Sequence, residues 1–129
     1  MQNLVNAKLH KAFKFVQGNI CDAQKISELL NTYNIDLVFH LAAESHVDNS
    51  LVNPGAFIDT NITGTYNMLE ACLKFWESRR KPSNFKFIHI STDEVFGQLS
   101  LTDAAFNENS PYQPNSPYSA SKAASDLLV

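Results

Sequence analysis

The 129-residue chain carries 44% hydrophobic and only 18% charged residues, the balance of one globular domain rather than a disordered tail. A formal net charge of −3, with Arg79, Arg80 and Lys81 as the one compact basic run, argues against a nucleic-acid-binding surface. Cys21 and Cys72 are the only cysteines; they match no metal-ligand spacing and cannot build a disulfide framework, so the expectation is reduced thiols in a cytoplasmic protein, with no metal site, membrane span or secretory leader.

In chain order, "FKFVQGNI" from Phe13 alternates in character and closes on a Gly-containing turn, which predicts a strand. "DAQKISELLNTY" from Asp22 predicts a helix capped by Asp22, with Ile26, Leu29 and Leu30 on one face. "IDLVFHLAA" from Ile35 is a continuous apolar run, as in a strand of a parallel sheet buried on both sides. A loop with "NPG" leads to a long helix from about Gly55, whose apolar stripe holds Ile58, Ile62, Leu69, Cys72, Leu73 and Trp76. Gly64 lies inside it and predicts a close approach to another backbone, since glycine costs about 1 kcal/mol there relative to alanine. "NIT" at Asn61 has the form of a glycosylation acceptor, but a cytoplasmic helix leaves it unmodified. The "RRK" run ends the helix, where cations suit the dipole.

"FKFIHIST" from Phe85 predicts the third strand. A polar loop with Pro111, Pro114 and Pro117 precedes the last helix, which Ser116 caps with Pro117 in its first turn. The order β–α–β–α–β–loop–α predicts an α/β fold: a Rossmann-like, doubly wound parallel sheet with helices on both faces. Only four glycines are present and none form the Gly-rich turn that opens a dinucleotide-binding sheet. The expectation is a partial domain without its first β–α unit and without a C-terminal substrate domain.

In open α/β sheets the ligand crevice lies beyond the carboxyl ends of the strands. Two polar clusters fall there: "LAAES" at residues 41–45 and "STDE" at residues 91–94. The small Ala42 and Ala43 would let a flat ligand approach the backbone. Tyr118 and Lys122 are four apart and share a helix face. An ammonium beside a phenol favours the phenolate, which makes the phenol a usable general base. Asp93 and Glu94 are adjacent, and two carboxyls held close divide into one acid and one base because like charges resist joint ionisation.

The stretches "HLAAESHVDNS", "FIDTNITGTYNMLEAC", "HISTDEVFG" and "PNSPYSASKAASDLLV" resemble the extended short-chain dehydrogenase/reductase superfamily. Within it they are most similar to the dTDP-glucose 4,6-dehydratase family, over residues 40–129. The resemblance implies that residues 1–129 are the central part of an NAD-binding Rossmann-like domain. It implies NAD as cofactor, a nucleotide sugar as substrate and a homodimer in the full-length form. It also implies roles: Tyr118 takes the sugar C4 hydroxyl proton, Thr92 hydrogen-bonds that oxygen, and Lys122 holds the cofactor ribose and tunes Tyr118. Glu94 removes the C5 proton, and Asp93 protonates the leaving C6 hydroxyl.

The same resemblance assigns cofactor contacts to Asn19, Ile20, Leu41, Ala42, Ala43, Glu44, Ser45, Thr60, Tyr118 and Lys122, and substrate contacts to Ser45 and Thr92. Asn19 stands where the family usually has Asp, and Asn49 where it often has Arg. His40 and His46 are expected to pack or hydrogen-bond rather than catalyse. Phe57, Tyr66, Phe75 and Trp76 are expected in core and interface. The alternatives are a 4-epimerase, a dehydratase of another sugar nucleotide, or an inactive fragment of such an enzyme; the adjacent acids weigh against the epimerase.

Overall fold

The computed structural model describes residues 4–129. Two strands, β1 (Leu37–His40) and β2 (Lys86–His89), pair in parallel with Leu37 opposite Lys86 and His40 opposite His89. Parallel strands need a long crossover. Here it is built from α3 (Val47–Val52), α4 (Pro54–Phe57), a π-helix (Ile58–Gly64) and α5 (Thr65–Ser78). Before β1 come α1 (Val5–Lys8) and α2 (Ala23–Tyr33); after β2 come a 3₁₀ turn (Asp93–Phe96) and α6 (Pro117–Leu128). Because the strands run the same way and in register, their carboxyl ends lie side by side. The loops that follow His40 and His89 therefore leave from one edge.

Local chemistry sets the helix limits. Asp22 caps α2 by accepting from Lys25 N at 3.0 Å, and Asn34 ends it in the left-handed region at φ 51°. Ser116 and Ser119 form a reciprocal capping box at the start of α6, with Pro117 in the first turn. At the far end of α5, the Arg79 guanidinium donates to Ile35 O at 3.2 Å and Asp36 Oδ1 at 3.1 Å. These bonds tie the helix to the entrance of β1.

The core lies between α2, α5 and one sheet face. Ile26 and Leu30 of α2 meet Ala71, Cys72 and Phe75 of α5, with Val38, Phe85 and Phe87 packed beneath. Each such large side chain contributes about 1.5–3 kcal/mol when fully buried. Burial pushes the Cys72 thiol up to about 11, so it is an inert packing group. His40 and His89 extend the same sheet face toward Thr65 and α6. The opposite face is open: Leu37 and Phe39 are 46% and 58% exposed.

Three sequence expectations are corrected. Residues 13–20 form no strand, because a strand exists only through its ladder and the backbone hydrogen bonds of this segment are local turns, Phe13 N–H to His10 O at 2.9 Å and Asp22 N–H to Asn19 O at 3.0 Å. Instead an apolar cleft of about 380 Å³, lined by Val16, Gly18 and Ile20 on one side and Leu37, Val38 and Phe39 on the other, separates it from β1. The helix expected from Gly55 is broken into α4, a π-turn and α5, and the "NPG" loop is preceded by α3. The wider π-turn rotates the apolar stripe, which leaves Ile58 exposed while Cys72 is buried. Gly64 meets a side chain rather than a backbone: a Cβ there would fall 2.5 Å from Ile20 Cδ1 and 2.7 Å from Ile20 Cγ1.

Gly64 has helical dihedrals, so alanine brings a propensity gain of about 1 kcal/mol against an overpacking cost of about 1–3 kcal/mol. Gly64→Ala is therefore expected to destabilise the native protein in urea denaturation. In an Ile20→Ala background the same change is expected to stabilise; two effects of the same sign would contradict the contact.

Candidate active site

The loop after β1 is held by one buried amide. Asn61, only 1% exposed, sits in the π-helix. Its Oδ1 accepts from Glu44 N at 2.8 Å, while Nδ2 donates to Glu44 O at 3.0 Å and to Ser121 Oγ at 2.8 Å. Ser121 Oγ in turn donates to Tyr118 O at 2.7 Å. One side chain thus joins the strand-end loop, the crossover and α6. The loop it anchors is open to solvent: Leu41, Ala42, Glu44 and Ser45 are exposed and Ala43 is half-buried. Glu44 and Asn49 line a hollow of about 380 Å³ with Val52, Asn53, Ala56 and Phe57.

The loop after β2 turns at once into the 3₁₀ helix. Its cap is Thr92, whose Oγ1 accepts from Glu94 N at 3.3 Å and approaches Asp93 Oδ1 at 3.4 Å. With the hydroxyl as cap, Asp93 only accepts the long bond from Thr92 Oγ1, and the Glu94 carboxyl makes no hydrogen bond to a described residue. Gly97 ends the turn at φ 103°, where a Cβ would lie 2.8 Å from Gln113 O. Gln113 N donates to Val95 O at 3.0 Å, and Phe96 packs on Phe106 and Tyr112, which holds the following loop in place. Thr92 and Asp93 line a hollow of about 340 Å³ together with Ser91, Tyr112 and Asp126.

The last helix brings Tyr118 and Lys122 to these loops, and both are buried. The Tyr118 ring meets Phe57 edge-on at 6.3 Å, and its hydroxyl has no hydrogen-bond partner among the described residues. Lys122 Nζ donates to Ile90 O at 2.7 Å and lies 3.4 Å from His89 Nε2. No hydrogen bond joins Lys122 to Tyr118, or Tyr118 to Thr92, among the described residues. A buried ammonium takes the nearest strong acceptor, and the free carbonyl beyond β2 is that acceptor. Burial pulls the Lys122 ammonium down from its ordinary range, and the Asp126 carboxylate opposes the fall.

Two histidines underlie the site. His40 Nε2 pairs with Thr65 Oγ1 at 2.9 Å, and its ring centroid is 5.3 Å from that of His89. Burial, then the charges of His89 and Lys122, push His40 down to about 4, so it is neutral at pH 7. His89 is also lowered, chiefly by burial and next by Lys122. His46 is exposed at the start of α3.

The residues assigned to the adenine side lie elsewhere. Asn19 uses Oδ1 to accept from Cys21 N at 2.9 Å, and it and Ile20 line the apolar cleft beside β1. Thr60 is half-buried in the π-helix with no side-chain hydrogen bond to a described residue. The structure therefore gathers Leu41, Ala42, Ala43, Glu44, Ser45, Thr92, Asp93, Glu94, Tyr118 and Lys122 on elements that meet at one sheet edge. Sequence reasoning missed Asn61, His89 and Asp126. A signal existed for Asn61: an amide beside Ile62 in an apolar stripe, three residues before a helical glycine. Among the described residues no group of three or more His, Cys, Asp or Glu side chains is placed to hold a metal ion, and no helix is long and apolar enough to cross a membrane.

Comparison with known proteins adds to this geometry. The family model for GDP-mannose 4,6 dehydratase matches residues 1–129. The chain is 51% identical over 119 residues to a dTDP-glucose 4,6-dehydratase of Haemophilus influenzae, covering 91% of this chain and 35% of that protein. It is 47% identical over 131 residues to one from Neisseria meningitidis serogroup B, covering 100% of this chain and 37% of that protein. The chain thus spans about a third of the length of these curated relatives. Among solved structures, the dTDP-glucose 4,6-dehydratase DesIV of Streptomyces venezuelae, with NAD bound, aligns with TM-score 0.86 at 37% identity, over 98% of this chain and 36% of that one. A UDP-glucose 4-epimerase of Brucella ovis in complex with NAD aligns less well, with TM-score 0.77 at 25% identity, over 92% of this chain and 35% of that one.

Removing the Asn61 amide takes the partner from Glu44 N–H and Glu44 C=O, while Ser121 keeps its bond to Tyr118 O. With Glu44 itself at the surface, where water replaces part of the lost bonding, Asn61→Ala is expected to cost about 1–3 kcal/mol in denaturant unfolding; a loss below about 0.5 kcal/mol would contradict the clasp. The folded His40 titrates below the unfolded value of 6.5, so the unfolded chain takes up the proton first. Stability should therefore fall as pH drops from 6.5 toward about 4, by a few kcal/mol from this group. His40→Gln is expected to flatten that slope in unfolding curves measured across the same window.

Proposed function

The chain belongs to the GDP-mannose 4,6 dehydratase family, and from that premise we propose that residues 1–129 are the central part of the NAD-binding domain of a sugar-nucleotide 4,6-dehydratase. The substrate we assign is dTDP-glucose and the product dTDP-4-keto-6-deoxyglucose. What supports this reading is that Thr92 and Asp93 line a hollow beyond β2 and that α6, which carries Tyr118 and Lys122, is bonded to the same strand end through Lys122 Nζ and Ile90 O. The choice of dTDP-glucose is supported by the relatives at 47–51% identity. The adjacent acids favour elimination of water over epimerisation, because an epimerase needs no second carboxyl.

The residues present fit a dinucleotide. A strand-end loop with small side chains, an unengaged phenol and a buried ammonium stand at the carboxyl end of a parallel sheet. When bound, NAD supplies a hydride acceptor for sugar C4 and later a hydride donor for C6. The loop of Leu41, Ala42, Ala43, Glu44 and Ser45 would hold the cofactor together with Lys122 at its ribose, Thr60 from the π-helix and Asn19 with Ile20 at the adenine end, and Ser45 would also reach the sugar.

Tyr118 takes the proton of the C4 hydroxyl while Thr92 hydrogen-bonds that oxygen. The resulting C4 ketone acidifies the neighbouring C5 hydrogen. Glu94 removes it, electrons move to form the C5–C6 double bond, and the C6 hydroxyl leaves with a proton from Asp93 as water. Positioned acid and base each contribute about 10²–10⁴-fold to such a step. We also place the protein in the cytoplasm as a homodimer; the free thiols support the first, and Tyr66 and Leu73, exposed on α5, support the second.

The test is to incubate the polypeptide carrying this chain with NAD and dTDP-glucose, UDP-glucose or GDP-mannose, and to read the alkali-sensitive absorbance of a 4-keto sugar. Product from dTDP-glucose alone is expected. Glu94→Gln should lose about 10²–10⁴-fold in product formation yet still oxidise C4, seen as reduced nicotinamide that builds up; Tyr118→Phe should lose both signals. Nicotinamide binding without a 4-keto product from any of the three sugars would overturn the reading.

A further inference from the structure

Asp126 lies four residues after Lys122 and so shares its helix face, one turn farther along. Its carboxylate is only 10% exposed and accepts from three directions. His89 Nε2 reaches Oδ1 at 3.0 Å, while Ser91 Oγ and the Tyr112 hydroxyl, the latter at 3.1 Å, reach Oδ2. The donors come from the last residue of β2, the turn beyond it, and the loop that leads to α6. Ser125 Oγ, also on α6, lies 3.3 Å from His89 Nε2. Through His89, 3.4 Å from Lys122 Nζ, this cluster adjoins the point where Lys122 Nζ meets Ile90 O.

The proton count follows from the contacts. His89 Nε2 faces a carboxylate, so it carries the hydrogen and donates to Asp126. It cannot then accept from Lys122, and the ammonium sits beside it at 3.4 Å while bonding Ile90 O. His89 Nδ1 is buried with no partner. A second proton there would bury an unpaired N–H next to an ammonium, so the ring stays neutral. The groups facing the Lys122 charge are then neutral His89 from β2, neutral His40 from β1 and the Asp126 carboxylate from its own helix, while Tyr112 from the loop faces Asp126.

On the reading of Lys122 given under Proposed function, we infer that Asp126 is a positioning residue of the reaction: it clamps the end of β2 and the preceding loop to α6 and serves as the counter-charge that keeps the Lys122 ammonium in place. A tie that only stabilised the fold would need the hydrogen bonds but not the charge. Asparagine separates the two roles, since it keeps the shape and loses the charge.

The experiment follows the Lys122 and His89 side-chain nitrogens by ¹⁵N NMR across pH in the polypeptide carrying this chain, as wild type, Asp126→Asn and Asp126→Glu, with steady-state kinetics on dTDP-glucose beside it. Without the carboxylate the Lys122 midpoint should fall by about one pH unit or more, and the alkaline limb of activity should move down with it. Turnover should drop about tenfold or more with KM changed less than about threefold; Asp126→Glu should restore the midpoint. If Asp126→Asn does not fold, the Ser91→Ala/Tyr112→Phe pair removes two clamp contacts, keeps the charge, and should slow turnover at unchanged KM and unchanged Lys122 midpoint. A folded Asp126→Asn protein with an unmoved midpoint overturns the inference, as does full turnover in the Ser91→Ala/Tyr112→Phe pair. A wild type that makes no 4-keto sugar counts against the functional reading alone, since the titration decides the counter-charge without it.

Discussion

The site depends on the three-way clasp of Asn61. A strand-end loop has no secondary structure of its own to fix it, and its polar backbone must be paired by something. The Asn61 amide pairs both backbone groups of Glu44 as a neighbouring strand would, and its remaining hydrogen reaches Ser121 on α6. The π-turn widens the helix at that point, and an irregular turn of this kind commonly marks a functional position. The parallel register then sets the other half: with His40 opposite His89, the loop that Asn61 holds and the acidic turn beyond β2 emerge next to each other.

Beneath that edge the protein keeps a polar layer where a core would ordinarily be apolar. Lys122, His89, His40, Ser125 and Thr65 are buried, and nearly every polar atom among them has a partner. Such a layer is expensive to desolvate, and it is tolerated when its members satisfy one another. What it gives in return is an ammonium fixed on Ile90 O, one helical turn after a phenol whose hydroxyl remains unengaged among the described residues. The same economy appears in the acidic turn. Thr92 takes the capping task, and the Glu94 carboxyl is left without a hydrogen bond to any described residue.

Much of this was legible in the residues. The caps at Asp22 and Ser116, the amphipathic α2, the two apolar runs that became β1 and β2, and the placement of the polar clusters at their carboxyl ends all follow from local pattern. What local pattern could not reveal depended on distant partners. Residues 13–20 have strand-like alternation, but a ladder needs a neighbour, and none of the described residues provides one. The π-turn was hidden because a periodicity count assumes one turn geometry throughout. Gly64 was read as a backbone contact, when the space is taken by Ile20 from 44 positions earlier in the chain. Asp126 carries no signal in the local pattern, because its three donors are brought to it only by the fold.

The central claim is that the two strand-end loops and α6 form one reaction site. A crystal structure of the polypeptide carrying this chain, with NAD and a non-reacting dTDP-sugar bound, tests it most directly. The account predicts the sugar C4 oxygen within about 3.2 Å of both the Tyr118 hydroxyl and Thr92 Oγ1, with Asp93 and Glu94 facing C6 and C5. A sugar seated away from the acidic turn, or a Tyr118 hydroxyl directed away from the ring, would contradict it.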